Sequence, residues 1–207
     1  MTYVYLIRHG ENDHVKERRL AGRIPEVHLN AYGRQQAEAI ARVLQDVQFD
    51  AIASSPLERA LETSRPLSRM QGIPVLAEAG LLEIDYGTWQ GKTLKSLRRR
   101  KLWPLVNHHP SRIRFPDGES FLEAQTRAVA AIESLRSRHP QTEAWVACIS
   151  HADVIKLVTA FYLGLSLDLF QRFQVAPASL TVLSLLPDQV RLVTFNDQRA
   201  SQIPATL

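Results

Sequence analysis

The sequence predicts an α/β fold, a three-layer α/β/α sandwich built around a mostly parallel sheet. Short apolar runs alternate with helical patterns along the chain, and no internal repeat or low-complexity linker interrupts them. The run "AWVACIS" at residues 144–150 is apolar throughout, as expected of a strand covered on both faces. We expect one domain over residues 1–207, with a short lid-like insertion at about residues 92–118.

The first half of the chain contains two predicted strands, each followed by a predicted helix. Tyr3–Ile7 is rich in β-branched and aromatic residues and predicts the first strand, and residues 49–55 predict the second. Asn30 precedes a helical pattern. Ser55 and Glu58 flank a proline and predict a capping box at the start of the next helix. The apolar face of the first helix comprises Ala37, Ile40, Ala41, Leu44 and Val47.

The second half continues the alternation after a basic, irregular stretch from Leu94 to Arg114. Ser120 and Glu123 predict a second capping box, which opens a helix that extends to about Arg138. The remaining elements are a helix from about Val154 to Leu163 and strands at Val75–Ala77, Leu180–Leu186 and Val190–Phe195.

Composition narrows the class of protein without deciding its function. The chain has 207 residues and a net charge of +4 at pH 7, a surplus too small to indicate nucleic-acid binding by itself. Cys148 is the single cysteine and lies in an apolar run, where packing is its expected role. The N-terminus lacks the features of a signal peptide, and the longest uncharged apolar stretch, Leu157 to Leu167, is too short to cross a membrane. We therefore expect a soluble, cytoplasmic protein.

Side chains that carry or can gain positive charge follow three separate predicted strands. Arg8 and His9 follow the first strand, and Arg59 begins the helix after the second. His151 follows the strand at 144–150, and Ala152 opens the next helix, whose N-terminal amides favour an anion. Because the carboxyl ends of parallel strands meet at one edge, we expect these groups to converge there. They would repel one another unless an anion lay among them, and phosphate suits the planar donors of arginine.

A metal ion is the alternative ligand for two histidines at this edge. No third histidine, cysteine or carboxylate lies at a metal-site interval, and two arginines would repel the ion, so we expect no metal. Phosphate ester cleavage also requires a proton donor, for which "GLLEIDYGTWQG" supplies Glu83 and Asp85. Burial beside a phosphate would raise the pKa of either carboxyl group, and the residue pattern alone does not separate the two.

Five motifs follow one another along the chain: "LIRHGEN", "SSPLERALET", "LLEIDYGTWQG", "PDGES" and "ISHADVIK". In this order they resemble the motifs of the histidine phosphatase superfamily, in its phosphoglycerate mutase-like branch. An RHG triplet alone is weak support, whereas five motifs in the family's order, spread over nearly the whole chain, are specific. The resemblance implies the phosphoglycerate mutase-like form of the α/β/α sandwich.

The resemblance also implies a role for each residue at the predicted site. His9 would be the nucleophile that becomes a phosphohistidine, and Glu83, rather than Asp85, would be the proton donor. The phosphoryl oxygens would be held by Arg8, Arg59 and His151. No metal or other cofactor is implied, because cationic side chains neutralise the charge of the phosphate.

Three further residues are expected to contact the substrate: Asn12, Tyr86 and Ala152. Tyr86 matches a substrate-side position of the mutases, and Asn12 is expected to replace an asparagine that many members carry where this chain has Val15. Asp153 and Gln90 also depart from the common family pattern. These departures concern the choice of substrate rather than catalysis.

The function favoured by this resemblance is that of a metal-independent phosphomonoester hydrolase acting on small phosphorylated metabolites. The alternative is a cofactor-dependent phosphoglycerate mutase, but mutases have a longer insertion before the second histidine and a substrate lysine where this chain has Leu94. A non-catalytic phospho-ligand binding module would be expected to lack His9 or Glu83. Nucleic-acid binding would require more basic residues with aromatic side chains among them.

The expected partner is therefore a small phosphorylated substrate, with no nucleic acid and no membrane. Exposed strands near the C-terminus would allow a homodimer. The basic residues of the lid region have two interpretations, a solvated surface or contacts to a second anionic group of the substrate. These residues are Arg98 to Lys101, Arg112 and Arg114.

Overall fold

Six strands form the central sheet of the computed structural model, which describes residues 1–140 and 143–200. They are β1 (Thr2–Arg8), β2 (Ala51–Ser54), β3 (Val75–Ala77), β4 (Ala144–Ser150), β5 (Leu180–Leu185) and β6 (Val190–Asp197). Their order is β3-β2-β4-β1-β5-β6, with β3, β2, β4 and β1 parallel and β5 and β6 antiparallel. The prediction of a mostly parallel sheet is confirmed.

Seven α-helices and several short 3-10 segments lie in the described part of the chain. The α-helices are α1 (Asp13–Lys16), α2 (Ala31–Val43), α3 (Glu58–Gln71), α4 (Leu94–Leu97), α5 (Trp103–His108), α6 (Phe121–Arg138) and α7 (Ala152–Tyr162). The predicted capping box of Ser120 and Glu123 is confirmed at the start of α6. The helical pattern after Asn30 is also confirmed as α2, and the Asn30 side chain caps this helix by accepting a hydrogen bond from the Gly33 N–H.

The capping box predicted at Ser55 is wrong. Helix α3 begins at Glu58, and its N-cap residue is Leu57, which makes no side-chain cap hydrogen bond. The Ser55 hydroxyl accepts from the Leu57 N–H at 3.4 Å and lies 2.8 Å from Nε2 of His151. The hydroxyl thus joins the end of the strand to His151 and to the turn before α3, and it does not cap the helix.

Alternating side chains of β1 and β4 divide the interior into two apolar layers. Val4 and Leu6 of β1 pack on the side of α6 and α7, whereas Tyr5 and Ile7 pack on the side of α2 and α3. Strand β4 divides in the same way, with Cys148 on the first side and Ile149 on the second. Helices thus cover both faces of the sheet, which confirms the three-layer α/β/α architecture.

The carboxyl ends of the central strands lie level with one another. Arg8 at the end of β1 pairs in register with Ser150 at the end of β4, and Ser54 at the end of β2 pairs with Ile149. The residues that follow these strands therefore emerge side by side at one edge of the sheet. The predicted site residues after all three strands belong to this edge.

The stretch from Leu94 to Arg114 is not irregular, as the sequence suggested, because it contains α4, α5 and a 3-10 turn at Pro110–Arg112. Its apolar residues Leu97, Val106 and Ile113 are buried in the same core as the sheet. These contacts explain why a locally basic sequence forms ordered helices. The basic run 98–101 lies between α4 and α5 and is exposed. The single domain over residues 1–207, with an insertion at about residues 92–118, stays a prediction. Residues 141–142 and 201–207 of that domain lie outside the described range.

Strand β6 lies at one edge of the sheet and exposes the apolar side chains of Leu192 and Val193. The homodimer predicted from this feature stays a prediction.

Among the described residues, no helix is long and apolar enough to cross a membrane.

Candidate active site

A cavity of about 290 Å³ opens at the carboxyl ends of β1 and β4. It brings together most of the residues that the sequence selects, from the loops after β1 and β4, from α3 and from the segment around Glu83. The described residues that line it are Arg8, His9, Asn12, Val15, Arg18, Arg19, Leu20, Ala21, Gly22, Arg59, Glu83, Tyr86, Leu94, Ala152 and Asp153. His151 is fully buried directly behind this lining.

His9 is fixed at the end of β1 by its backbone and by its ring. Its backbone N–H donates to the Ser150 carbonyl at 3.0 Å, and its Nδ1 lies 2.7 Å from the carbonyl oxygen of Gly10. The chain turns at Gly10 against another glycine, because a Cβ at residue 10 would lie 2.6 Å from the Gly33 carbonyl oxygen. A side chain at residue 10 would therefore displace the backbone that holds the His9 ring.

Arg59 lies between the two histidine rings, and its hydrogen bonds determine which nitrogen of each ring carries the proton. Its Nε is 3.3 Å from Nε2 of His9, and its Nη2 is 3.3 Å from Nδ1 of His151. Because arginine only donates, both of these ring nitrogens accept. The ring proton of His9 is therefore on Nδ1, facing Gly10, and that of His151 is on Nε2, facing Ser55.

Both histidines are neutral in the unliganded site. Burial, together with the positive charges of Arg59 and Arg8, holds the pKa of His9 well below its usual range. Burial and the charge of Arg59 likewise hold the pKa of His151 well below its usual range. Nε2 of His9 thus carries an unprotonated lone pair, which a nucleophile requires.

Three hydrogen-bond donors among the residues that line the cavity are buried without a partner in the described part of the chain. They are Nε of Arg8, Nδ2 of Asn12 and Nη1 of Arg59. Burying a donor without an acceptor is costly, and cationic donors cost more than neutral ones. Three such atoms from three different elements fit a bound anion with several acceptor oxygens, as phosphate has.

The structure distinguishes Glu83 from Asp85, the two carboxyl groups that the sequence offers as proton donors. Glu83 lines the cavity, and its Oε2 lies 4.0 Å from Nδ1 of His151. Asp85 accepts a hydrogen bond from the Gly87 N–H at 2.9 Å and is not among the lining residues. The geometry therefore places Glu83 at the site and gives Asp85 a role in the turn that follows it.

Burial and the negative charge of Asp153 raise the pKa of Glu83 to about 7, against the opposing effects of Arg59 and the Ile84 N–H. Burial acts to raise the pKa of Asp153 too, but Lys156 overcomes it with its charge and a hydrogen bond at 2.9 Å, so that this pKa stays below its usual value. Near neutral pH, Asp153 is ionised while Glu83 retains its proton for much of the time. An acid and a permanent anion thus lie together in one cavity.

Asp153→Asn is expected to move the alkaline limb of the pH–rate profile to lower pH. The resemblance makes Glu83 the general acid, which acts only while protonated, so kcat/KM is expected to fall as the pH rises through the pKa of Glu83. Removing the charge of Asp153 lowers that pKa, and activity is then lost at a lower pH. The measurement is kcat/KM between about pH 5 and pH 9. Asp188→Asn in the exposed β5–β6 turn is the matched control, and an identical limb in both variants would contradict this coupling.

The expected substrate-binding residues all line the cavity, each in a different way. The Asn12 side chain caps α1 by accepting from the Val15 N–H at 2.9 Å, which leaves its Nδ2 pointing to no protein acceptor in the described chain. The Tyr86 hydroxyl donates to Asp153 at 2.9 Å. Ala152 begins α7, so the N-terminus of that helix faces the cavity.

A cluster of charged residues behind Glu83 was not identified from the sequence. The carbonyl oxygen of Glu83 accepts from Nε of Arg23 at 2.8 Å and from Nη2 of Arg127 at 3.1 Å. Glu119 binds both arginines, at 2.9 and 2.6 Å, and also accepts from the Asp85 N–H at 2.9 Å. The cluster fixes the backbone that carries Glu83. Glu119 lies in the "PDGES" motif, which was the one available signal.

Arg18 and Asp153 were likewise not named as site residues. Arg18 lies next to Arg19 in the sequence and appears there as one of many surface cations. Asp153 was noted only as a departure from a family pattern. Their place in the cavity follows from the packing of distant segments, which no local pattern encodes.

The fold and the donor set of the cavity are those expected of an enzyme that binds a phosphate group. The chain belongs to the histidine phosphatase superfamily (branch 1), whose sequence model matches residues 4–198. The resemblance seen in the sequence is therefore confirmed.

Curated relatives and solved structures resemble this chain over most of its length. Phosphoserine phosphatase 1 of Hydrogenobacter thermophilus is 28% identical over 89% of this chain and 87% of that protein. Probable phosphoglycerate mutase GpmB of Escherichia coli is 32% identical over 80% of this chain and 76% of that protein. The solved structure of Bacillus stearothermophilus YhfR matches with a TM-score of 0.90 at 29% identity, covering 98% of this chain and all of that one. Family membership and the phosphatase relatives support a phosphoric monoester hydrolase.

Proposed function

We propose that this protein hydrolyses phosphomonoesters of small metabolites without a metal ion, through a phosphohistidine intermediate on His9. The observation that carries the proposal is the combination of a neutral His9 ring with three buried, unpaired donors in the same cavity. The donors balance the charge of a phosphate dianion, and Nε2 of His9 supplies the electron pair. The reaction requires no redox or Lewis-acid chemistry.

In the first step, Nε2 of His9 forms a bond to phosphorus while the bond from phosphorus to the ester oxygen breaks. The departing alkoxide takes the proton of Glu83 and leaves as the alcohol. The Nδ1 proton stays on the ring, and the Gly10 carbonyl stabilises the positive charge that the ring acquires. Arg8 and Arg59 hold the oxygens of the transferring group.

In the second step, the Glu83 carboxylate takes a proton from a water molecule as that water attacks phosphorus. The bond to Nε2 breaks, phosphate leaves, and His9 returns to its neutral form with Glu83 protonated. The two steps therefore restore both residues, and the sum is ester plus water giving alcohol plus phosphate.

His151 contributes once an anion is bound. A phosphate dianion beside the ring opposes the effect of the arginines and raises the pKa of His151. Protonation at Nδ1 replaces the hydrogen bond that this nitrogen accepts from Arg59, and the protonated ring nitrogen then donates to a phosphoryl oxygen, while Nε2–H remains on Ser55. This places a third cationic group around the transition state.

Phosphoglycerate mutase activity is the alternative, because one relative carries that name. The position that carries a substrate lysine in mutases is Leu94 here, and this apolar side chain lines the cavity. Among the described lining residues, Leu94 alone comes from segment 92–118, so the segment places no charged side chain in the cavity itself. These features favour hydrolysis.

The single buried Cys148 fits a cytoplasmic location, which we include in the proposal.

A metal-free hydrolysis assay tests the proposal. The protein is incubated with a chelator and a panel of phosphorylated metabolites that includes 3-phosphoglycerate and phosphoserine, and free phosphate is measured. We expect release of phosphate that vanadate inhibits, since vanadate adopts the geometry of the transferring group. Rapid transfer between phosphoglycerates with little free phosphate would instead assign a mutase, and binding without turnover would assign a phospho-ligand binding module.

A further inference from the structure

The loop before β5, residues 173–179, lies against the end of β1 and is called the supporting loop below. The Arg8 N–H donates to the Ser179 carbonyl at 3.1 Å, and the Ala178 N–H donates to the His9 carbonyl at 3.2 Å. No residue of the loop is among the described residues that line the cavity. The supporting loop therefore contacts Arg8 and His9 without being part of the cavity surface.

The supporting loop also orients the guanidinium of Arg8. Nη1 of Arg8 donates to the Val175 carbonyl at 2.7 Å, from a residue 167 positions away in the sequence. Nε of the same guanidinium is buried without an acceptor in the described part of the chain. Because the group is planar and rigid, the hydrogen bond at Nη1 sets the direction in which Nε points. The Val175 carbonyl thus determines how Arg8 presents its unpaired donor to a phosphoryl oxygen.

The peptide group that holds Arg8 is itself held by Asn196. Its carbonyl belongs to Val175 and accepts from Arg8, while its N–H belongs to Ala176 and donates to Oδ1 of Asn196 at 2.8 Å. The C=O and N–H of a trans peptide point in opposite directions from one planar unit. A rotation of this peptide that released Arg8 would therefore also break its hydrogen bond to Asn196.

An irregularity in β6 brings Asn196 to this position. Two steps along β5, from Leu180 to Val182, match three steps along β6, so the pairing of the two strands contains a bulge. Asn196 lies in this bulge with a φ of 51°, a left-handed conformation that asparagine adopts more readily than most residues. Its N–H donates to the Thr181 hydroxyl at 3.2 Å, which holds the bulge against β5. The bulge thereby aims the Asn196 side chain at the supporting loop.

We propose that Asn196 is a positioning residue for phosphate binding, which orients the Arg8 guanidinium through the peptide group between Val175 and Ala176. Asn196 is not among the residues that line the cavity, so its effect on a ligand passes through Arg8. Two hydrogen bonds in series through one peptide polarise each other, and the bond from the arginine is charge-assisted. The proposal rests on the proposed phosphate site and assigns a role in it to a residue of the edge strand.

Asn196→Gly tests the proposal, because glycine adopts the positive φ of residue 196 and lacks the Oδ1 acceptor. The rings of Phe173 and Phe195, whose centres are 5.1 Å apart, still hold the supporting loop beside β6 in this variant. Calorimetry measures the affinity for inorganic phosphate, and the melting temperature is recorded alongside. We expect phosphate to bind about threefold to tenfold more weakly, as the loss of one hydrogen bond allows. Asn196→Asp keeps an acceptor oxygen and should restore most of the affinity.

The Arg8→Met background separates positioning from a general loss of stability. Phosphate should bind to Arg8→Met more weakly than to the wild type, but adding Asn196→Gly should cause no further loss, because the group that Asn196 orients is absent. Unchanged affinity in Asn196→Gly, or equal losses with and without Arg8, would overturn the proposal.

Asn107→Gly is the matched control for the loss of an asparagine. Nδ2 of Asn107 donates to the Trp103 carbonyl at 3.1 Å within α5, and the residue is not among those that line the cavity. Glycine within a helix destabilises it, so this variant should have a lower melting temperature. Its affinity for phosphate should equal that of the wild type, which shows that lost stability alone does not weaken binding.

A measurement on the wild-type protein tests the proposal even if Asn196→Gly does not fold. Phosphate bound to Arg8 changes the polarisation of the Val175 carbonyl, so the Ala176 amide resonance should shift when inorganic phosphate is added. The shift should be absent from Arg8→Met at saturating phosphate. An unmoved resonance in the wild type, or the same shift in Arg8→Met, would overturn the proposal. Absence of any phosphate binding by the wild type would instead contradict the proposed function, so the two failures are distinguishable.

Discussion

His9→Ala is expected to abolish phosphate release, with a fall in kcat of about 10⁴-fold or more. In the proposed reaction the variant loses the atom that bonds to phosphorus, and no neighbouring group can replace it, because Arg8 and Arg59 only donate and His151 is fully buried behind the residues that line the cavity. The measurement combines steady-state hydrolysis with trapping of the labelled protein after rapid quenching at alkaline pH. Wild-type protein should carry an acid-labile phosphoryl group, and the variant should carry none.

The control for this variant is His108→Ala, at an exposed histidine outside the cavity lining. It should retain both hydrolysis and labelling. Undiminished turnover in His9→Ala would remove His9 as the nucleophile. Labelling retained in His9→Ala would point to another residue as the phosphoryl acceptor.

Glu83→Gln is expected to reduce hydrolysis of alkyl phosphates by about 10²-fold to 10⁴-fold. An alkoxide leaves poorly without a proton, and glutamine neither supplies one nor activates water in the second step. With p-nitrophenyl phosphate the leaving group departs unprotonated, so the first step should survive while the second remains slow. Stopped-flow measurement should then show a burst of nitrophenolate equal to the enzyme concentration, followed by slow turnover.

Asp85→Asn is the matched control for Glu83, two residues away on the same segment. Its side chain can still accept from the Gly87 N–H, so turnover should be close to that of the wild type. Equal defects in the two variants would mean that the segment was disrupted rather than the acid removed. A Glu83→Gln variant that retains full activity on alkyl phosphates would remove Glu83 as the proton donor.

The sequence predicts the strands and the main helices of this fold because their signals are local. Ser120 caps α6 because its own chain neighbours supply the donor and the acceptor, and the apolar run 144–150 needs no distant residue to be recognised as a strand. The prediction at Ser55 was wrong for the opposite reason. Its hydroxyl bonds to His151, 96 residues later in the chain, and no local pattern records such a competitor.

The same distinction applies to the site. Arg8, His9, Arg59 and His151 could be selected because each directly follows a strand or begins the helix after one, and parallel strand ends converge by topology. The choice between Glu83 and Asp85 required either the family resemblance or the structure, since their sequence environments are alike. The position of Arg18 at the cavity depends on a contact between segments 16–20 and 91–101, in which the Leu94 N–H donates to the Arg18 carbonyl. Its place at the cavity could not be read from either segment alone.

The packing of segment 92–118 has a kinetic consequence for the enzyme. Leu97, Val106, Ile113 and Phe115 are buried in the core, where each contributes about 1.5–3 kcal/mol. Swinging the segment outward would expose all four, at a cost comparable to the whole stability of a typical domain. Segment 92–118 therefore stays in place between catalytic cycles, and neither admission of the ester nor escape of the product waits for this segment to move.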